Sequence, residues 1–201
     1  VSLTFPIYKN KELSSFYFRS SDALSGIKHC ALSKGKYLFN EQVIDTCKAR
    51  GRPLIVSEGL FDCLSLIELG FETISVLGLH TNEEVINCIA QVKTIIICFD
   101  NDLNASGQHG AQKLAFRLAR LGCRVGIAIL PNYGDKKVDV NQLMVGGKCF
   151  EVYQSINTPY WFSDTKECTQ MITVWEQQRA RNALRAAEKS TDSLRVQKVK
   201  T

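Results

Sequence analysis

The chain has 201 residues, 45% of them hydrophobic and 22% charged, the composition of a globular protein long enough to bury its own core. Its longest apolar runs, such as Ile95–Phe99 and Ile127–Leu130, fall far short of the roughly 20 residues of a membrane-spanning helix, and no basic stretch followed by an apolar one opens the chain. A transmembrane protein and a visible secretory leader are thereby excluded, and a chain opening on Val1 reads as a segment of something longer.

The net charge of +5 is unevenly spread: residues 1–52 carry nine Lys/Arg against four Asp/Glu, 53–175 nine against thirteen, and 176–201 seven against three. An acidic body between two basic arms suits a polyanion whose phosphate is bridged to carboxylates by cations. The alternative is two arms that are simply solvated. The eight cysteines, at 30, 47, 63, 88, 98, 123, 149 and 168, include no close pair of the kind that feeds a zinc site. Cys63, Cys88 and Cys98 fall inside apolar patterns, where a thiol behaves as a small hydrophobe. Buried structural thiols in a reducing compartment, the cytoplasm, are expected.

Residues 1–40 alternate short apolar and polar runs, which predicts short strands or an irregular basic subdomain. Aromatics stand beside basic residues there, at Phe16-Tyr17-Phe18-Arg19 and Lys36-Tyr37-Leu38-Phe39. A helix over about 41–49 is predicted to end at Arg50-Gly51-Arg52-Pro53, a glycine cap followed by a proline stop. Four apolar runs follow: Leu54–Ser57, Thr73–Leu77, Thr94–Phe99 and Arg124–Leu130. Each is short and apolar on successive positions, as in strands buried on both faces of a parallel sheet. Helices are predicted between them at Leu60–Leu69, at Asn82–Val92 with Thr81 and Glu84 as a capping box, and at Ala111–Leu121. Strand and helix in alternation imply right-handed crossovers and an open parallel sheet of about four strands with flanking helices. A run of helix formers over roughly Asp164–Lys189 is predicted to be a helical tail, either packed on the body or linking to a neighbour.

In open α/β sheets ligands bind beyond the carboxyl ends of the strands, so the residues that follow each strand test for function. The first strand ends in Ser57-Glu58-Gly59 with Asp62 one turn on, and the third in Phe99-Asp100-Asn101-Asp102. The fourth is followed by Asp135 and then by Lys137-Val138-Asp139-Val140-Asn141. Three of the four strand ends thus deliver carboxylates to one edge. Such a cluster repels itself unless cations sit in it. Asp100 and Asp102, two apart, would project the same way from an extended chain, and Mg2+ is often held by one or two carboxylates plus substrate phosphate. Asp62 reads equally as a first-turn acid favoured by the helix dipole, and Asp139 as a loop or N-cap residue. His80 reads as a loop histidine.

The run Leu54-Ile-Val-Ser-Glu58-Gly59-Leu-Phe-Asp62, then Val76-Leu77-Gly78, then Ile95-Ile-Ile-Cys-Phe-Asp100-Asn-Asp102 resembles the TOPRIM domain of primases, topoisomerases and some nucleases. The Glu-Gly-x-x-Asp form, Gly107 and Lys137–Leu143 resemble the bacterial primase and phage primase-helicase branch. Two departures are visible: a slightly longer stretch between Asp102 and Gly107, and Val138 interrupting the Lys-Asp pair. The resemblance implies a basic N-terminal segment over 1–49, a TOPRIM core over 50–157 and a basic helical tail or linker over 158–201. It also implies metal-dependent nucleotidyl transfer, namely RNA primer synthesis on single-stranded DNA from nucleoside triphosphates, with a replicative helicase in cis or trans. Asp100 and Asp102 would hold Mg2+ or Mn2+ with Asp139 or Asp62 in support, and Glu58 would ligate metal or move a proton. Arg19, Lys28, Lys34, Lys36, Arg50 and Arg52 would track template phosphates, and Phe16, Tyr17 or Tyr37 would stack on bases or pack in the core. A TOPRIM nuclease, a non-catalytic nucleic-acid-binding or assembly module, and a phospho-receiver are the competing readings. The last lacks the acidic doublet it needs after the first strand.

Overall fold

The structure, a computed structural model, describes residues 2–20, 29–31, 37–79, 81–102, 104–133 and 137–162. Lys28, Lys34, Lys36, His80, Asp135 and the helix predicted over 164–189 lie outside the described residues.

The N-terminal arm forms a three-stranded antiparallel sheet in the order β1 (Ser2–Lys9), β2 (Glu12–Ser20), β3 (His29–Ala31). Strands β1 and β2 turn through Asn10 and Lys11, both in the left-handed region. Ile7 and Tyr17 from this hairpin are buried against Leu60.

The second sheet has five strands in the order β5 (Thr73–Ser75), β4 (Leu54–Ser57), β6 (Thr94–Cys98), β7 (Arg124–Ile127), β8 (Tyr160–Trp161). The first four are parallel, as their apolar runs predict, and β8 adds an antiparallel edge. Two aromatic residues carry too little periodicity to announce a strand. Trp161 fits here because Arg124 stacks on its ring at 4.1 Å and Gly126 leaves room for it.

Side-chain alternation sorts each strand between two cores. Leu54, Val56, Ile95, Ile97, Val125 and Ile127 face α1 (Val43–Arg50), α3 (Glu83–Ile89) and α4 (Ser106–Arg120). Ile55, Ile96 and Cys98 face the layer of α2 (Leu60–Glu68), α5 (Val140–Val145) and α6 (Cys149–Asn157). Leu38, Val43, Ile44 and Cys47 are buried in the first core together with the sheet.

Two helix starts differ from expectation. The cap of α3 is Asn82, not Thr81: its side chain accepts from the Val85 N–H at 2.9 Å, and Asn is at least as good a cap as Thr. Helix α4 begins at Ser106, five residues before the apolar periodicity does, because its first turn is held by Asp102 and by the close packing of Gly107 on the end of β6, neither of which shows as apolar periodicity. Cys47, Cys63, Cys88, Cys98, Cys123 and Cys149 are free thiols. Burial pushes the thiols of Cys47 and Cys88 up to about 11 and that of Cys63 up to about 12, so they stay protonated and serve as core.

Candidate functional site

The chain passes from β4 outward to β5 and then returns to place β6 on the other side of β4. Between β4 and β6 the connections therefore leave in opposite directions, which opens a crevice at the carboxyl ends of those two strands. Ser57 and Cys98 are register partners there, so the residues after them, Glu58 and Phe99-Asp100, emerge side by side.

Asp100 continues the Ile96, Cys98 alternation toward α2 and α5 and is only 7% exposed. Asn101 forms a bridge with Val138, through Asn101 N–H to the Val138 carbonyl at 2.8 Å and the reverse bond at 3.1 Å. Its side-chain amide donates to the Leu130 and Pro131 carbonyls at 2.9 and 3.3 Å. This clamp ties the end of β6 to the chain that follows β7, and it brings Lys137 over the two aspartates. The Lys137 ammonium lies 2.5 Å from Asp100 Oδ2 and 3.9 Å from Asp102 Oδ1. Asp102 is fixed from its other oxygen, which accepts from Ser106 Oγ at 2.8 Å and from the Gly107 N–H at 3.2 Å at the start of α4. A carboxylate at that end of a 15-residue helix is favoured by the helix dipole.

Glu58 is held by its backbone: its carbonyl accepts from Ser75 Oγ at 3.0 Å and from the Gly78 N–H at 3.1 Å. Among the described residues its side-chain Oε2 is buried without a hydrogen-bond partner. Burial, and then the charges of Asp100 and Asp102, push its carboxyl up to about 7. Asp62, 7% exposed in the first turn of α2, accepts from the Asn141 N–H at 3.1 Å. Burial, and then Asp100, push it up to about 7 as well. Asp62 is thus more than a dipole-favoured helix acid: it joins α2 to α5 beneath the cluster. Burial also raises Asp100, against the pull of Lys137. For Lys137, burial acts downward, but the hydrogen bond to Asp100 and the charges of Asp100, Asp102 and Asp139 outweigh it and raise the ammonium. Asp139 caps α5, accepting from the Gln142 N–H at 2.7 Å, while its charge still bears on Asp100 and Asp62.

Two glycines shape the crevice. A Cβ on Gly107 would lie 2.3 Å from the Asp100 carbonyl oxygen, so only glycine lets α4 start against the end of β6. A Cβ on Gly59 would lie 2.6 Å from Asp62 Oδ2 and would displace that carboxylate.

The donor set is all oxygen, with an ammonium standing where a cation would neutralise Asp100 and Asp102. Among the described residues no three His, Cys, Asp or Glu side chains converge tightly enough to ligate one ion together. The arrangement fits a hard divalent ion held by two carboxylates and completed by water or phosphate, not a closed protein cage.

The basic residues divide. Arg19 stacks on Phe61 at 5.5 Å, in the first turn of α2, and so stands on the Glu58 side of the sheet. Arg50 ends α1 and Arg52 precedes β4, pairing with Glu72 at 3.3 Å. Both stand at the amino end of β4, the opposite edge from the carboxylates. Tyr17 is 9% exposed and belongs to the core, whereas Phe16 and Phe18 stack with each other. Sequence reasoning missed Lys137, Asn101 and Ser106 as parts of the site. For the first, the signals were its place two residues before Asp139 and within the Lys137–Leu143 resemblance, which assigned it no role.

Residues 55–144 match the family described as Toprim-like, a span that runs from β4 to α5 and holds Glu58, Asp62, Asp100, Asp102 and Asp139. Residues 55–144 are a Toprim-like domain. Over the same region the chain is 31% identical, across 100 residues, to the DNA primase of Geobacillus stearothermophilus, covering 49% of this chain and 16% of that one. It is 30% identical, across 113 residues, to the DNA primase of Mycoplasma genitalium, covering 51% of this chain and 18% of that one. The chain thus spans less than a fifth of the length of these relatives. In fold it is similar to the zinc-binding and RNA polymerase domains of the Aquifex aeolicus primase, with a TM-score of 0.68 at 21% identity, over 89% of this chain and 45% of that one. It is also similar to the DnaG primase catalytic domain bound to ssDNA, with a TM-score of 0.64 at 19% identity, over 80% and 52%. The Toprim-like domain therefore sits in a fold shared with primase catalytic domains. Among the described residues no helix is long and apolar enough to cross a membrane.

Proposed function

We propose that this chain is the catalytic portion of a DNA primase, a nucleotidyl transferase that makes RNA primers on single-stranded DNA from nucleoside triphosphates with Mg2+ or Mn2+. The observation that carries the reading is the convergence of Asp100 and Asp102 on one cationic group, with Glu58 beside them holding a buried oxygen that no described residue partners. Asp100 and Asp102 hold the ion, Asp102 being oriented by Ser106 and Gly107. Asp62 and Asp139 stiffen the floor by fixing the start of α5. Glu58, with a carboxyl near 7, is suited to take the proton of an attacking hydroxyl at neutral pH. When bound, a divalent ion neutralises the triphosphate and stabilises charge at the attacked phosphorus.

The curated primase relatives favour primer synthesis over the nuclease reading. A single-stranded DNA partner is supported by the DNA-bound primase fold. Arg19, on the carboxylate side, is proposed to contact template phosphate with Lys28, Lys34 and Lys36, while Arg50 and Arg52 would serve only a strand running round the amino edge. A replicative helicase partner and a cytoplasmic location belong to the same proposal.

The test is Mn2+ titration by calorimetry of the chain and of the Asp100→Asn/Asp102→Asn double variant, followed by primer synthesis on single-stranded DNA with ribonucleotides. Saturable binding that vanishes in the folded double variant, with template- and triphosphate-dependent products, is expected. Equal Mn2+ binding by both proteins sinks the metal assignment. Products that need neither template nor triphosphate replace the primase by a nuclease.

A further inference from the structure

Asp102 commits one oxygen to Ser106 and Gly107 and turns the other toward Lys137, whose ammonium already contacts Asp100 at 2.5 Å. A divalent ion sits about 2.1 Å from each carboxylate oxygen it binds, so an ion bridging the two oxygens that face Lys137, Asp100 Oδ2 and Asp102 Oδ1, would crowd the ammonium. Two cations on one carboxylate oxygen also repel each other, and in a half-buried site that repulsion is weakly screened. The ammonium has somewhere to go. The Lys137 side chain is 48% exposed, and its ion pairs among the described residues are with Asp100 and Asp102 alone. Its backbone is held in place, because the neighbouring Val138 is bridged to Asn101. The head group can therefore leave the carboxylates while its root stays at the mouth of the crevice.

We propose that Lys137 is an exchangeable counterion: it neutralises Asp100 and Asp102 in the metal-free chain, and a divalent ion binds that pair only by displacing it. This deepens the metal reading given above and rests on it. Bare-ion affinity is then set by a contest between the ion and the chain's own lysine. The displaced ammonium remains at the crevice mouth, where a phosphate arriving with the ion would meet it. Lys137 acts through the carboxylates and is a positioning residue.

The experiment is Mn2+ titration by calorimetry on the full chain and on Lys137→Met, Lys137→Arg and the Asp100→Asn/Asp102→Asn double variant, with thermal melts to establish folding. Lys137→Met is expected to bind Mn2+ about tenfold more tightly than the native chain, equivalent to about 1.4 kcal/mol for releasing a half-exposed ion pair. Lys137→Arg keeps a cation in place and is expected to stay within about threefold of native, too small a change to mark a lost pair. Binding seen in Lys137→Met but too weak to measure in the native chain supports exchange in its strongest form. Equal or weaker binding by Lys137→Met beside saturable native binding overturns the exchange and leaves the metal reading standing. No binding by either protein overturns both. If Lys137→Met does not fold, Lys137→Gln replaces it with the same expectation.

Discussion

Gly107→Ala separates a glycine required by geometry from one that is merely present. The added Cβ would lie 2.3 Å from the Asp100 carbonyl oxygen and 3.1 Å from its carbonyl carbon. Carbon and oxygen in ordinary contact stay about 3.3 Å apart, so the overlap is about 1 Å. The obstacle is backbone and cannot rotate away. Overpacking costs about 1–3 kcal/mol where side chains can give, so this site belongs at the upper end. Alanine returns at most about 1 kcal/mol of helix propensity, and less in a first turn. A net loss of about 2 kcal/mol follows, equivalent to about 4–8 °C in melting temperature for a chain of this size. Relief requires moving either the start of α4, which holds Asp102, or the end of β6, which carries Asp100. Mn2+ affinity should therefore fall together with stability. Gly110→Ala, one turn on in the same helix, is the control. Its Cβ meets the end of the flexible Leu79 side chain at 2.6 Å, and a shift within about 2 °C is expected. A Gly107→Ala protein that melts and binds Mn2+ like the native chain would refute the argument that this glycine sets the carboxylate geometry.

Three further outcomes follow from the same geometry. Glu58 and Asp62, ordinarily at 4.5 and 3.8, are raised to about 7, so the folded chain keeps protons that the unfolded chain has already lost. Without metal, stability to urea should accordingly be greatest near the ordinary values, fall as pH rises toward about 7, and then level off. Glu58→Gln should flatten that fall, and an unchanged slope would show that Glu58 does not contribute. Asn82→Ala should cost about 1 kcal/mol in chemical denaturation and Thr81→Ala only a few tenths, the reverse being expected were Thr81 the cap. Asn101→Ala, which strips the amide bonds to Leu130 and Pro131, should cost about 1–3 kcal/mol and raise amide exchange across residues 128–133.

The sheet was legible because burial on both faces leaves a plain mark. Leu54–Ser57 and Thr94–Cys98 admit few polar residues, and the carboxylates that end them stand out against that background. The strand-end rule then gathered Glu58, Asp100 and Asp102 at one edge before any contact was known. Other features left no such mark. Strand β8 is two residues long and is recruited by β7 through tertiary packing. The start of α4 depends on a side-chain cap from Asp102 and on an Ala105 in the left-handed region, neither of which shows as periodicity. Arg50 and Arg52 are as basic as Arg19, and composition cannot say which edge of a sheet a residue will occupy. Lys137 was hidden for the same reason, since its partner Asp100 lies 37 residues away and the Asn101–Val138 bridge makes the meeting.

The electrostatics of the crevice give an independent reason to read it as a site. Glu58, Asp62, Asp100 and Asp102 gather where burial raises three of their carboxyls and one ammonium is the partner in an ion pair, an arrangement that costs stability and is concentrated at functional sites. Asp62 and Asp102 are partly satisfied by backbone N–H groups, and Asp100 by Lys137, but Glu58 Oε2 has no partner among the described residues. The remaining negative charge can be met by protonation or by a cation from solution. Protonation answers at low pH, where Glu58 is neutral. Above about 7, where it ionises, a divalent ion becomes the stronger answer. Mn2+ should therefore raise the melting temperature more above that pH than below it. An equal rise on both sides would show that the charge of Glu58 does not govern binding of the ion.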